Sequence, residues 1–153
     1  MNRIKPLDPA DFSRLIQQAP LVSIDLIVQN DQAQVLLGRR RNAPAKGYWF
    51  TPGGRIRKGE TIPQALSRIV RAELGVDGKA HAHKFLGVYD HLYEDNVFED
   101  PSYGTHYVTL AHQIEVEVIL GDLPGDEHSD YRWWGLDELR ASPEVHPYAK
   151  AYF

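Results

Sequence analysis

Between Thr61 and Leu74 the apolar residues Ile62, Ala65, Leu66, Ile69, Val70 and Leu74 recur at i, i+3, i+4 and i+7, and Gly75 follows as a stop. The spacing predicts an amphipathic helix over 61–74 laid against a core. Into it runs a glycine-rich loop, Gly53-Gly54-Arg55-Ile56-Arg57-Lys58-Gly59-Glu60, where backbone can approach a ligand closely and present amides or a carbonyl. At roughly 100° per residue Glu73 falls about 20° from Ile62, inside the apolar stripe. A carboxylate on that face requires a partner. A fraying last turn, an ion pair with an arginine and a bound metal ion are the arrangements open to it.

The 153 residues suit one domain, taken as 1–153, and 42% apolar content is enough to fill its core. Asp8-Pro9-Ala10-Asp11 supplies a cap and a first-turn proline, and Phe12, Leu15, Ile16 and Ala19 follow at helical spacing up to Pro20. Val22, Ile24, Leu26 and Val28 alternate with Ser23, Asp25 and Ile27. The turn residues 29–32 then lead to Val35-Leu36-Leu37, which predicts a β-hairpin. A basic loop, 39–47, precedes Tyr48-Trp49-Phe50. Strands are expected over 84–93, 106–118 and 131–134, with polar loops at 94–104 and 121–130. A helix over 136–140 and a further short one after Ser142-Pro143 close the reading. Periodicity alone therefore gives mixed α and β elements with no internal repeat.

Lys+Arg 17 against Asp+Glu 21 leaves a formal charge of −4, which argues against non-specific binding along a nucleic-acid backbone. The chain has no cysteine, so disulfides, thiolate zinc sites and thiol nucleophiles are excluded, while seven histidines keep imidazole chemistry open. Residues 1–15 lack an apolar segment of signal-peptide length, and the run 21–28 is too short to span a membrane. A cytoplasmic protein with no membrane partner is expected.

Gly54, Glu60, Arg68, Glu73, Gly75 and Val76 stand at the spacings of the Nudix box, and the chain resembles the Nudix hydrolase family there and in the hairpin and strands around it. The resemblance implies an α+β Nudix fold, a mixed β-sheet sandwiched between α-helices, in a homodimer. Ile69 and Ala72 replace two of the box glutamates. Three neighbouring carboxylates gather several magnesium ions, whereas Glu73 alone suggests a single Mg2+ per subunit, with Mn2+ as a substitute. Within the family this loss is similar to that of the GDP-mannose mannosyl hydrolases. The stretches Pro20-Leu21-Val22-Ser23, Gly47-Tyr48-Trp49-Phe50, Thr105-His106-Tyr107-Val108 and Asp130-Tyr131-Arg132-Trp133 extend the likeness over nearly the whole chain.

That resemblance implies hydrolysis of a GDP-sugar, GDP-mannose or also GDP-glucose, by attack of water on the sugar C1 with inversion. Such chemistry needs a base opposite the leaving group and positive charge on the diphosphate. His128 matches the family's base; read without the family it is a solvated histidine in an acidic loop. The resemblance assigns the metal to the Gly53 carbonyl, Glu73 and Glu127, the last standing where the family has a glutamine. It assigns the diphosphate to Arg40, Arg55 and Tyr107, with Arg39 and Arg41 read as a solvated hairpin tip. Asp25 matches an aspartate near the sugar or the metal-bound water, or is a polar residue on an edge strand. His91 and His106 are secondary candidates for contacts to sugar or phosphate. Arg68 is expected to orient a box glutamate, and Glu60 to hold the loop. Two alternatives stay open: a pyrophosphatase splitting the P–O–P bond of another nucleoside diphosphate compound, and a noncatalytic nucleotide-sugar binder.

Overall fold

The computed structural model describes residues 6–153, so the N-terminal reading is tested only from Pro6 onward and its first five residues lie outside the described chain. Helix α1 spans Pro9–Gln18, with the Asp8 side chain accepting from the Asp11 amide. Strands β1 (Leu21–Gln29), β2 (Val35–Arg40), β3 (Trp49–Phe50) and β4 (Gly53–Arg55) follow, then helix α2 (Ile62–Leu74). Strands β5 (His83–Tyr93), β6 (Thr105–Glu115) and β7 (His128–Trp134) and the short helices α3 (Leu136–Ala141) and α4 (Pro147–Lys150) complete the chain.

The seven strands form one mixed sheet in the order β3-β2-β1-β6-β5, with β4 also paired to β1 and β7 to β2. Strand β1 runs parallel to β6, from Leu21 opposite Tyr107 to Gln29 opposite Glu115. Strand β1 is thus central, which removes the edge-strand reading of Asp25.

Alternation along β1 decides the two faces. Ile24, Leu26 and Val28 pack with Ala65, Leu66, Ile69, Val70 and Leu74 of α2 and with Ile114. On the other side Val35, Leu37, Trp49, Phe50 and Trp134 pack with Leu139, Val145 and Ala149. Helices cover both faces, as the expected sandwich requires. The capping box of Thr61 and Gln64 starts α2, and Gly75, at φ 70°, ends it. Ile62 departs from its expected place in the stripe: the first turn, residues 62–64, is exposed all round, and burial begins at Ala65.

Two strand limits also move. Strand β6 stops at Glu115, three residues before the alternation ends, and β7 begins at His128 within the expected acidic loop. Among the described residues, no helix is long and apolar enough to cross a membrane.

Candidate active site

The odd-numbered residues of β1 and β6 make the floor of a cavity of about 280 Å³ on the sheet face opposite α2. Ser23 and Asp25 of β1, His91 and Tyr93 of β5, and Tyr107 of β6 line it. Gly53, Gly54 and Arg55 form one wall, and Arg40 with residues 42–44 forms another. Phe12 of α1, Val97 and Glu127 close the rim.

Asp25 is 8% exposed. Burial pushes its carboxyl up to about 6, against the lowering effect of the Tyr152 hydroxyl, of neighbouring Thr51 and of Arg40. The Tyr152 hydroxyl donates to Asp25 Oδ2 at 2.5 Å. Oδ1 faces the glycine loop, because a Cβ added at Gly53 would stand 2.7 Å from it. Only a glycine permits this approach of β4 to the carboxylate. Beside Asp25, the Tyr152 hydroxyl also lies 3.4 Å from His91 Nε2, and His91 Nδ1 lies 3.4 Å from Thr109 Oγ1. Burial, reinforced by His146, pushes the His91 imidazole down to about 4, so the ring is neutral.

The arginines separate as their neighbours dictate. Arg40 is half-buried with Nε donating to the Pro44 carbonyl, whereas Arg39 and Arg41 are exposed and donate to the Gly47 and Gly125 carbonyls. Arg55 lies over the Phe12 ring, 4.8 Å from its centroid. Arg40 and Arg55 thus bring two cationic groups to the cavity that holds Asp25. Arg68 grips Glu60 with Nε and Nη2, each at 2.9 Å, and also donates to the Arg55 carbonyl, while Glu60 accepts from the Arg57 amide. Burial works to raise the Glu60 carboxyl, but Arg68 outweighs it and leaves it lowered.

Glu73 lies where its helical phase put it, beneath the apolar stripe, and its Oε2 is buried with no hydrogen-bond partner. Among the described residues no arginine pairs with it, and Arg68 pairs with Glu60 instead. Burial, then the charges of Glu127 and Asp126, push its carboxyl up to about 8, opposed by Arg40. An unpartnered buried carboxylate beside two acidic side chains is the environment a divalent cation relieves. Among the described residues no three His, Cys, Asp or Glu side chains converge to hold an ion by themselves. An ion there would need a backbone carbonyl and ligand oxygens for the remainder, and carboxylate and carbonyl oxygens, as Glu73, Glu127 and Gly53 offer, are the donors a hard cation takes.

His128 departs from its expected loop setting. It begins β7 opposite Arg40, is 2% exposed, and does not line the cavity. Its Nδ1 is 3.2 Å from the Tyr131 hydroxyl and its Nε2 has no partner. Burial and then Arg40 push it down to about 4. His106 also lies away from this cavity, with its Nε2 3.6 Å from Asp90.

Residues outside the sequence reading complete the site. Tyr148 stacks flat on His91, 4.5 Å between centroids at 4°, and its hydroxyl donates to the Leu92 carbonyl and accepts from the Leu92 amide. Tyr148 and Tyr152 stand four residues apart on the segment after His146, a helical spacing that carried a weak signal. Phe12 was legible only as the apolar side of α1.

The chain belongs to the Nudix family: the NUDIX domain model matches residues 19–153. It is 36% identical over 107 residues to the low-salt glycan biosynthesis protein Agl8 of Haloferax volcanii, covering 70% of this chain and 66% of that protein. It is 31% identical over 121 residues to an ADP-ribose pyrophosphatase of Methanocaldococcus jannaschii, covering 78% and 64%. The chain thus spans just under two thirds of the length of these relatives. Its fold is that of a MutT NUDIX hydrolase from Burkholderia pseudomallei, with TM-score 0.68 and 23% identity over 88% of this chain and 96% of that one. It also matches the NUDIX domain of Shewanella oneidensis NrtR, solved with ADP ribose, with TM-score 0.64 and 20% identity over 95% and 96%.

Proposed function

We propose that the protein hydrolyses GDP-mannose, and GDP-glucose by the same route, to GDP and the free sugar. The observation that carries this reading is the one glutamate of α2, Glu73, whose unpartnered buried oxygen stands near Glu127 at the rim of a cavity that sets two arginines beside a carboxylate and histidine floor. Arg40 and Arg55 suit a diphosphate, and Asp25 and His91 suit the hydroxyls of a sugar. Glu73, Glu127 and the Gly53 carbonyl would hold one divalent ion. That ion, Mg2+ or Mn2+, would supply positive charge to the departing diphosphate.

In this proposal water attacks C1, the C1–O bond breaks, its electron pair leaves on GDP, and the water proton passes to His128 Nε2. His128 is neutral at pH 7, the form that accepts a proton, and its Nε2 is unpartnered. A diphosphate on Arg40 would offset the positive charge that weakens this base. His128 adjoins Glu127, which lines the cavity, so a shift of the 121–128 segment is needed to bring Nε2 to it. Asp25 orients the sugar end. A cytosolic homodimer with no nucleic-acid partner belongs to the same proposal, on the resemblance alone.

A second reading rests on the relative named as an ADP-ribose pyrophosphatase. In it water attacks phosphorus and the P–O–P bond breaks. Product identity separates the two: GDP plus mannose supports the first, GMP plus mannose 1-phosphate the second, and binding without turnover a nucleotide-sugar binder.

A further inference from the structure

The residue that fixes Asp25 stands 127 positions away in the chain. Strand β1 brings Asp25 to the cavity floor, and helix α4 with the residues after it carries Tyr152 back beneath the same face. The Tyr152 ring packs edge-on against Tyr89, 4.8 Å between centroids at 88°, and this fixes where its hydroxyl points. The hydroxyl meets Asp25 Oδ2 and comes within 3.4 Å of His91 Nε2. With the His91 proton on Nε2, the polar groups form a one-way chain. Thr109 donates to His91, His91 to Tyr152, and Tyr152 to Asp25.

The consequence for Asp25 is geometric. A carboxylate on a short side chain can turn about χ2, and the short bond from Tyr152 to Oδ2 stops that rotation. Pinning Oδ2 leaves Oδ1 directed at Gly53, the point where the glycine loop enters the cavity. We infer that Tyr152 is a positioning residue, which holds the Asp25 carboxylate so that its other oxygen faces the glycine loop and the reacting end of the ligand. This rests on the proposed role of Asp25 in hydrolysis.

Asp25→Asn, Tyr152→Phe and the double variant test it, with GDP-mannose and Mg2+, or ADP-ribose if that is the compound turned over. Tyr152→Phe keeps the ring and its Tyr89 contact. It should lower kcat about tenfold, the size that one hydrogen bond to a charged acceptor supports, with KM within about twofold. The double variant should be no slower than Asp25→Asn, because Tyr152 acts only through that carboxylate. In a crystal structure of Tyr152→Phe the carboxylate should have turned, with Oδ1 no longer over Gly53, whether or not a substrate is known. Full activity of Tyr152→Phe beside an impaired Asp25→Asn overturns the inference and leaves the proposed function standing. Losses that multiply in the double variant, or a carboxylate that stays in place, also overturn it. Full activity of Asp25→Asn removes Asp25 from the hydrolytic reading and the inference with it.

Discussion

The His128 imidazole rests on Gly38, where a Cβ would stand 2.5 Å from its Cδ2 and 2.6 Å from its Cγ. No side chain fits between β2 and this ring, so Gly38 sets the depth at which the imidazole lies. Gly38→Ala must displace His128 or β7. It should cost about 1–3 kcal/mol, the usual size for overpacking a filled site. Urea unfolding at pH 7 measures it, and a variant as stable as the parent would show that the ring moves freely.

The fork between Arg68 and Glu60 ties the middle of α2 to the glycine loop. Arg68→Ala leaves a largely buried carboxylate unpaired and should destabilise the fold by about 1–3 kcal/mol. Arg68→Lys keeps the charge and loses the two-bond geometry, so its stability should fall between the two. Equal stability of parent and Arg68→Ala, by the same unfolding assay, would deny the pair a role in holding the loop.

Much of this arrangement was legible in the sequence because it is local. The helical phase of Glu73 put a carboxylate under the apolar stripe, and the Gly54 to Val76 spacings set the loop and helix that contain Arg68. For Asp25 an edge-strand reading stayed open beside that of a site aspartate because alternation describes one strand, whereas the parallel pairing with β6 joins segments more than eighty residues apart. Tyr152 left only its helical spacing from Tyr148 as a local mark, which says nothing of a partner at the other end of the chain. His128 sits in a run of polar residues, and it is the pairing of β7 with β2, which lays its ring on Gly38, that buries it.

The two buried histidines each act to weaken the fold in acid. His91 and His128 are each pushed down to about 4, so between pH 6.5 and 4 the folded chain binds fewer protons than the unfolded one. Their contribution to stability is complete above about pH 6.5 and is lost as the pH falls through that window. Asp25, pushed up to about 6, and Glu73, pushed up to about 8, work in the opposite sense. His91→Phe should therefore reduce the stability lost between pH 7 and 4.5 by about 1–2 kcal/mol relative to the parent. An identical loss in both proteins would contradict a neutral, buried His91.

In the proposed metal site Glu73 would make metal binding pH-dependent. With its carboxyl pushed up to about 8, it carries a proton in the metal-free protein at pH 7 and must release it to ligate a cation. The rise in Tm produced by Mg2+ should grow between pH 6.5 and 8.5. Glu73→Gln should abolish that rise at every pH and stabilise the metal-free protein at pH 8.5, where burying the ionised group is most costly. A pH-independent Mg2+ effect, or one that survives Glu73→Gln, would place the ion elsewhere.

The central claim is that water attacks the sugar carbon. Hydrolysis of GDP-mannose with Mg2+ in oxygen-18 water, with the products read by mass spectrometry, tests it most directly. The account predicts GDP without label, because the bridging oxygen leaves with the diphosphate. Labelled GDP, or GMP with mannose 1-phosphate and label on either phosphate, would mean attack at phosphorus and would contradict it.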